Sequence, residues 1–264
     1  MDSKRRLSLF ASLLLLISLL FAICSSSSIS NSHKSDRVSL ELYYETLCPF
    51  CADLIVNDLA KLFKSDVISI VDLKLVPYGN ARVKSNNSIT CQHGPEECFL
   101  NTVEACAINI WPQLNVHFPF VHCVETLANE FKYNEWESCL EKLNLDSIPI
   151  TDCYTGKYGK KLELQYAAET KALKPPHQYV PWTVLNGQKI DIMDYEDLVS
   201  NICKAYKGTN RPESCRKKSV DSIGRKGADK VVYFIEKAER PALQERVQSA
   251  ISSWMNQKKM AALE

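Results

Sequence analysis

Apolar and polar positions change period several times along the chain. An apolar run near the N-terminus is followed by a polar, Ser-rich stretch. Residues 38–45 (VSLELYYE) then alternate and are rich in β-formers, which predicts a strand. Thr46 to Pro49 breaks it. Over residues 50–64, Leu54, Ile55, Leu59, Leu62 and Phe63 recur at helical spacing. Residues 67–77 (VISIVDLKLVP) form a second β-rich run. A strand, a helix and a strand in that order predict a parallel pair with a right-handed crossover. The pattern over residues 98–145 is helical, with breaks expected at Pro112, Pro119 and Pro149. A further helix is expected over 158–173, stopped by Pro175-Pro176. Residues 180–185 read as a short strand, Asn186-Gly187 as a hairpin turn and 189–193 as the partner strand. Asp194 caps a last amphipathic helix that runs to about Tyr206.

Composition alters this picture first at the N-terminus. Lys4-Arg5-Arg6 precedes an almost wholly apolar run over 7–23, and small residues flank Cys24. That is the form of a secretory signal peptide over residues 1–24. A membrane anchor is the competing reading. The run of roughly 17 residues is at the short end for spanning a bilayer, and no later run approaches it without charges, so no stable membrane insertion is expected after cleavage. Residues 25–37 are expected to be a disordered arm or propeptide. Asn86-Asn87-Ser88 is an N-glycosylation sequon in a polar stretch, with Asn86 as the acceptor.

At 45% hydrophobic and 24% charged, the chain is neither disordered nor collagen-like. A net charge of +1 offers no general attraction to nucleic acid, and no nucleic-acid partner is expected. That small number conceals a split: residues 25–203 carry −8 and residues 204–264 carry +7. The basic C-terminal extension, 207–264, looks helical over 229–239 and 241–259. It reads as a helix packed on the acidic body, as a removable propeptide, or as a membrane or nucleic-acid contact.

There are 11 cysteines, an odd count. Cleavage after Cys24 leaves ten, as a disulfide framework in a secreted chain requires. Cys48-Pro49-Phe50-Cys51 falls where the first strand ends and the first helix begins. Unpaired N–H groups and the positive end of the helix dipole meet a thiolate there and lower a cysteine's pKa. Cys48 is expected to be the exposed nucleophile and Cys51, one turn on, the residue that resolves a mixed disulfide. Half of a zinc site and a structural pair are the competing readings. A zinc site wants a second ligand pair at finger or ribbon spacing, but Cys91 and Cys98 are seven apart and no C-x-x-C recurs, so no metal and no cofactor is expected. The other eight are Cys91, Cys98, Cys106, Cys123, Cys139, Cys153, Cys203 and Cys215, which permit roughly a hundred pairings. Cys203 with Cys215 is the easiest local choice.

Without its middle, the order of elements is the thioredoxin arrangement. The fold class is therefore α/β: a thioredoxin-like fold over residues 38–206, with a disulfide-rich helical insertion of about 91–175 between the second and third strands. Pro181 opens the third strand, where thioredoxin-like proteins hold a cis proline facing the dithiol and substrate. Residues 91–106 read CQHGPEECFLNTVEAC. They fit C-Q-H-G-x2-E-C-x2-N-x4-C through Cys91, Gln92, His93, Gly94, Glu97, Cys98, Asn101 and Cys106. This resembles the signature of the gamma-interferon-inducible lysosomal thiol reductase (GILT) family, over about residues 38–206. The long basic tail matches nothing in that pattern.

The resemblance implies a thiol reductase that acts on disulfide-bonded protein substrates with a small thiol reductant, often at acidic pH, in a lysosome, in a vacuole or outside the cell. Cys48 and Cys51 become the redox pair, and the signature cysteines structural. A cysteine of ordinary pKa is under one part in about a thousand thiolate near pH 5, so the site needs a strongly favoured anion. His93 or His177 could add a cation if either lies close. Gln92-His93-Gly94 is expected to form a turn held by its flanking cysteines. The competing functions are a secretory disulfide oxidase or isomerase, and a non-enzymatic, disulfide-stapled binding protein.

Overall fold

The computed structural model describes residues 37–192 and 194–216. The expected signal peptide with Cys24, the Ser-rich arm up to residue 36 and the two tail helices lie outside the described residues. Among the described residues, no helix is long and apolar enough to cross a membrane.

Strand β1 (Val38–Tyr44) lies at the centre of a four-stranded sheet ordered β2-β1-β5-β6. It pairs in parallel with β2 (Val71–Pro77) and antiparallel with β5 (Trp182–Leu185), which in turn pairs with β6 (Gln188–Ile190). Alternation explains the centring. Val38, Leu40, Leu42 and Tyr44 bury one face of β1, while Tyr43 buries the other against Val76, Trp182 and Val184. The crossover from β1 to β2 is a chain of helical segments: α1 (Pro49–Asp53), a π-helical stretch (Leu54–Leu59), α2 (Ala60–Lys64) and a 3-10 turn (Asp66–Ile70). Leu54, Ile55, Leu59 and Leu62 point inward from it, as their spacing predicts. Residues 67–70, expected in the second strand, belong to that 3-10 turn. Ser65 Oγ caps it by accepting the Val67 N–H.

A short antiparallel pair, β3 (Arg82–Val83) with β4 (Ile89–Thr90), follows β2. Five helices then precede β5: α3 (Pro95–Ile110), α4 (Leu114–Asn129), α5 (Ser138–Lys142), α6 (Ser147–Thr155) and α7 (Lys157–Lys171). This is the expected helical insertion, and it carries its own core, in which Phe120, Trp136, Leu100, Cys106 and Ile150 are buried together. Trp136 meets Phe120, Phe99 and Tyr154 edge-on, with ring centroids 5.8–6.4 Å apart.

Only one of the three expected proline breaks falls where it was read. Pro112 does lie between α3 and α4. Pro119 instead sits inside α4, where its neighbours Phe118, Phe120 and Val121 are all buried. Their burial offsets the cost of a mid-helix proline, about 3 kcal/mol. Pro149 occupies the first turn of α6, where an amide N–H has no intrahelical partner to lose. The break there comes earlier, at Asp146, whose Oδ1 accepts the Ile148 N–H.

Helix α8 (Tyr195–Ala205) closes the first core, and Asp194 Oδ1 caps it by accepting the Asp197 N–H at 2.8 Å. Four disulfides pair all eight remaining cysteines: Cys91–Cys98, Cys106–Cys153, Cys123–Cys139 and Cys203–Cys215. The first three staple the insertion. The fourth ties residue 215 to α8, as its spacing suggested.

The turn after β2 depends on a glycine. Gly79 has φ +57°, and a Cβ there would stand 2.5 Å from the Cβ of Glu45. Gly79→Ala is therefore expected to cost about 1–3 kcal/mol, read as a lower urea midpoint at unchanged slope.

Candidate active site

Three consecutive residues carry the chain from β1 to the first helix: Glu45, Thr46 and Leu47, all at or below the surface. Leu47 adopts a positive φ of 63°, uncommon for a branched side chain. The turn is held from outside itself. Asn101 Oδ1 accepts the Thr46 N–H at 2.9 Å, and the Thr46 hydroxyl donates to the Glu97 carbonyl at 3.1 Å. Both partners lie on α3. The next residue, Cys48, is the N-cap of α1, and Pro49 takes the first helical position. The Cys51 N–H faces Cys48 Sγ at 3.4 Å, and the Ala52 N–H donates to the Cys48 carbonyl at 3.0 Å.

Cys48 and Cys51 are the two free cysteines among the described residues. Burial pushes the Cys51 thiol well above its ordinary range, with Cys48 and Glu45 adding to the effect. Cys51 is thereby kept a thiol. Cys48 corrects one expectation, because it is buried rather than exposed, at 0%. It forms the floor of a groove of about 390 Å³, counting its mouth, walled by Leu47, Pro49, Ala52, Ala128, Phe131 and Tyr133. Periodicity along α1 cannot show this cover, since it comes from the end of α4 and the loop after it. Phe131, at 58%, is the most exposed aromatic side chain of that wall. Pro181 immediately precedes Trp182, which pairs with Tyr43 at the C-terminal end of β1, the end from which Cys48 emerges. Its peptide bond with Val180 is cis.

The signature residues surround the turn. Cys91 and Cys98 bridge the loop that leads into α3. Gln92 Oε1 accepts from Asn80 Nδ2 at 2.7 Å, and the Asn80 N–H donates to Glu45 Oε2 at 2.6 Å. His93 is buried. Its Nδ1 lies 2.7 Å from Glu97 Oε2 and 3.8 Å from Glu45 Oε1, and its N–H also donates to Glu97. Gly94, at φ +100°, turns the chain into α3. Cys106 anchors α3 to α6 through Cys153. Asn86 lies on an exposed loop and accepts from Ser88. His177 supplies no ready cation, because burial lowers its pKa.

Glu45, His93 and Glu97 are the one group of potential metal ligands among the described residues, their ligating atoms within 4.8 Å of one another. The contacts are those of a hydrogen-bonded histidine between two carboxyl groups: the His93 ring and backbone nitrogens both engage the same Glu97 oxygen.

Sequence reasoning named Glu97 in the signature but missed the other buried acids. Glu45, Glu97, Glu104 and Glu125 are all 0% exposed. Desolvation pushes Glu45 up, with Glu97 and Cys48 adding and the Asn80 bonds opposing. Tyr44 donates its hydroxyl to Glu104 at 2.6 Å. Glu104 is pushed up to about 8, first by burial. A weak signal existed: Glu97, Leu100, Asn101 and Glu104 fall on one face of α3, which otherwise reads as apolar and buried.

The site and fold define a class: a thiol–disulfide oxidoreductase of thioredoxin-like fold. The fold is also that of solved structures described as the reduced disulfide bond oxidoreductase DsbG from Mycobacterium tuberculosis and the oxidised Mtb DsbA. They share 12% identity with this chain, at TM-scores of 0.50 and 0.51, and cover 76% and 73% of this chain and 92% of each of theirs. The model of the family described as gamma interferon inducible lysosomal thiol reductase (GILT) matches residues 39–143. A "Gamma-interferon-responsive lysosomal thiol protein" of Arabidopsis thaliana is 49% identical over 185 residues, 69% of this chain and 77% of that one. A "Gamma-interferon-inducible lysosomal thiol reductase" of Mus musculus is 38% identical over 186 residues, 69% and 73% of the two chains. The chain belongs to the GILT family of thiol reductases.

The acids make stability depend on pH. Glu104 titrates near 8 when folded and near ~4.3 when unfolded. Between those values the folded state binds more protons, so stability falls as pH rises. The melting temperature is expected to be highest in mild acid and to drop toward about pH 8, and Glu104→Gln should flatten that slope in calorimetry.

Proposed function

We propose that this protein reduces disulfide bonds of proteins through the Cys48–Cys51 dithiol at acidic pH, with a small thiol as the ultimate reductant. The observation that carries the reading is the contrast among the ten described cysteines. Eight are paired in disulfides, and the remaining two are free, joined by the hydrogen bond from the Cys51 N–H to Cys48 Sγ and placed at a strand-to-helix turn.

The Cys48 thiolate attacks one sulfur of the substrate disulfide. The substrate S–S bond breaks, its leaving sulfur takes up a proton, and a mixed disulfide joins Cys48 to the substrate. Cys51 then gives up its proton and attacks Cys48 Sγ. The second substrate sulfur leaves as a thiol, and a Cys48–Cys51 disulfide remains. The substrate gains two electrons and the dithiol loses two. Two molecules of small thiol reverse the change and become a disulfide themselves. The high Cys51 pKa suits this order, because the resolving sulfur stays protonated until it is needed. The apolar groove at Cys48 receives the chain flanking the substrate disulfide, and Pro181 contacts the substrate. Secretion through the N-terminal signal, glycosylation at Asn86 and delivery to a lysosome, a vacuole or the exterior complete the reading. The signature residues act as supports for the turn.

Cys48→Ser is expected to abolish reduction of insulin disulfides by a thiol donor. Unchanged turnover in that variant would overturn the proposal. Cys51→Ser should retain the first attack and accumulate a mixed disulfide with substrate, visible as a mass adduct lost on adding thiol. A dithiol potential near about −120 mV would instead mark an oxidant.

A further inference from the structure

The mechanism above leaves two buried acids unused. Glu104 on α3 and Glu125 on α4 face each other within hydrogen-bond reach, both 0% exposed. Tyr44 serves one oxygen of Glu104. No donor among the described residues serves Glu104 Oε1 or either oxygen of Glu125. Ionised carboxyl groups only accept, so a bond between these two exists only when at least one carries a proton. Fully ionised, the pair would hold two like charges and three unserved oxygens in a dry core, which is the costliest arrangement available to it.

The pair is also close to the chemistry. Glu125 lies one turn before Ala128, which walls the groove over Cys48, and the charges of Glu125 and Cys48 act on each other. The groups acting on the pair are Tyr44 from β1, Cys48 from the start of α1 and each acid from the other's helix, and Tyr44 in turn feels Tyr166 of α7. None of these is a cation. Cys48 also acts on Glu45, which the Asn80 N–H and the nearby His93 engage.

We propose that Glu104 and Glu125 form a proton-sharing pair, set one helical turn behind the wall of the Cys48 groove, whose ionisation opposes growth of the Cys48 thiolate as pH rises. With the pair fully protonated, Cys48 has a neutral neighbour. When the pair loses a proton, an anion stands beside the sulfur in a low-dielectric setting and repels its thiolate. The reactivity gained by Cys48 as pH rises is then offset by ionisation of the pair. The inference rests on the reading of Cys48 as the attacking sulfur.

The experiment is alkylation of the reduced, purified protein by iodoacetamide across the pH range, followed at Cys48 by mass spectrometry. Wild type is expected to give a shallow profile, broader than one proton, because two interacting sites titrate together. The double variant Glu104→Gln/Glu125→Gln keeps the shape and removes both charges. It should give a one-proton profile displaced to lower pH, with a rate near pH 7.5 at least about threefold above wild type and a rate near pH 5 unchanged. A folded double variant with the wild-type profile would overturn the proposal.

A second measurement does not need that variant to fold. In wild type, an infrared band of a protonated carboxyl group should persist above about pH 6 and vanish toward pH 9. By reciprocity the Cys48→Ser variant should lose it at lower pH, because the thiolate no longer opposes ionisation of the pair. Absence of the band above about pH 6, or a midpoint that ignores Cys48, would also sink the idea. Neither measurement uses reductase turnover, so a failure here and a failure of the reductase reading remain distinguishable.

Discussion

The place of Cys48 depends on the seating of Thr46 against α3. The residue's N–H and hydroxyl both bond into that helix, to Asn101 and to the Glu97 carbonyl. A buried backbone N–H without a partner costs about 1–3 kcal/mol. The bond to Asn101 therefore fixes the path by which β1 turns into α1. The Leu47 backbone at φ 63° and the Cys48 cap follow from that path. A strained turn persists only where its surroundings over-determine it, and here the surroundings are the first two turns of α3. The signature CQHGPEECFLNTVEAC thereby acquires a mechanical meaning. Its disulfide and glycine set the start of α3, its histidine and acid pack against Glu45, and its asparagine holds the turn.

Much of the site is polar and dry. Glu45, Glu97, Glu104, Glu125, His93 and Asn101 are all buried. Burying such groups is unfavourable unless each finds a partner. Asn80, Tyr44 and His93 provide partners for some oxygens, and shared protons are the remaining means of satisfaction. A site of this kind is less costly to keep protonated, which ties its stability to acidic conditions. The same low dielectric that makes the acids awkward lets one charge be felt strongly by a sulfur beside it.

Two kinds of cysteine coexist because their surroundings differ. The paired ones join helix to helix or loop to helix within the insertion and at α8, where the chain would otherwise rely on a small separate core. Closing such loops restricts the unfolded chain and so favours the fold. Cys48 and Cys51 lie instead at a helix start under a groove, with an apolar wall contributed by the stapled insertion. The oxidised frame holds the reduced pair in place.

Local pattern alone determined the strand-helix-strand opening, the hairpin at Asn186-Gly187, the Asp194 cap and the position of the C-x-x-C motif. Each of these depends on neighbours in the chain, through period, turn chemistry and capping. The signature and the even number of remaining cysteines pointed to the family and to a stapled insertion. Local rules failed where packing outweighed them: Pro119 continues α4 because the residues around it are buried. Tertiary structure alone decided that Cys48 is covered, that Asn101 holds Thr46 across 55 residues of chain, and that Glu104 and Glu125 meet. A glutamate in a helix is by default a solvated charge, and its sequence neighbours do not tell it apart from a buried one. Only the approach of α3, α4 and β1 to one another turns those acids into a buried pair near the free Cys48.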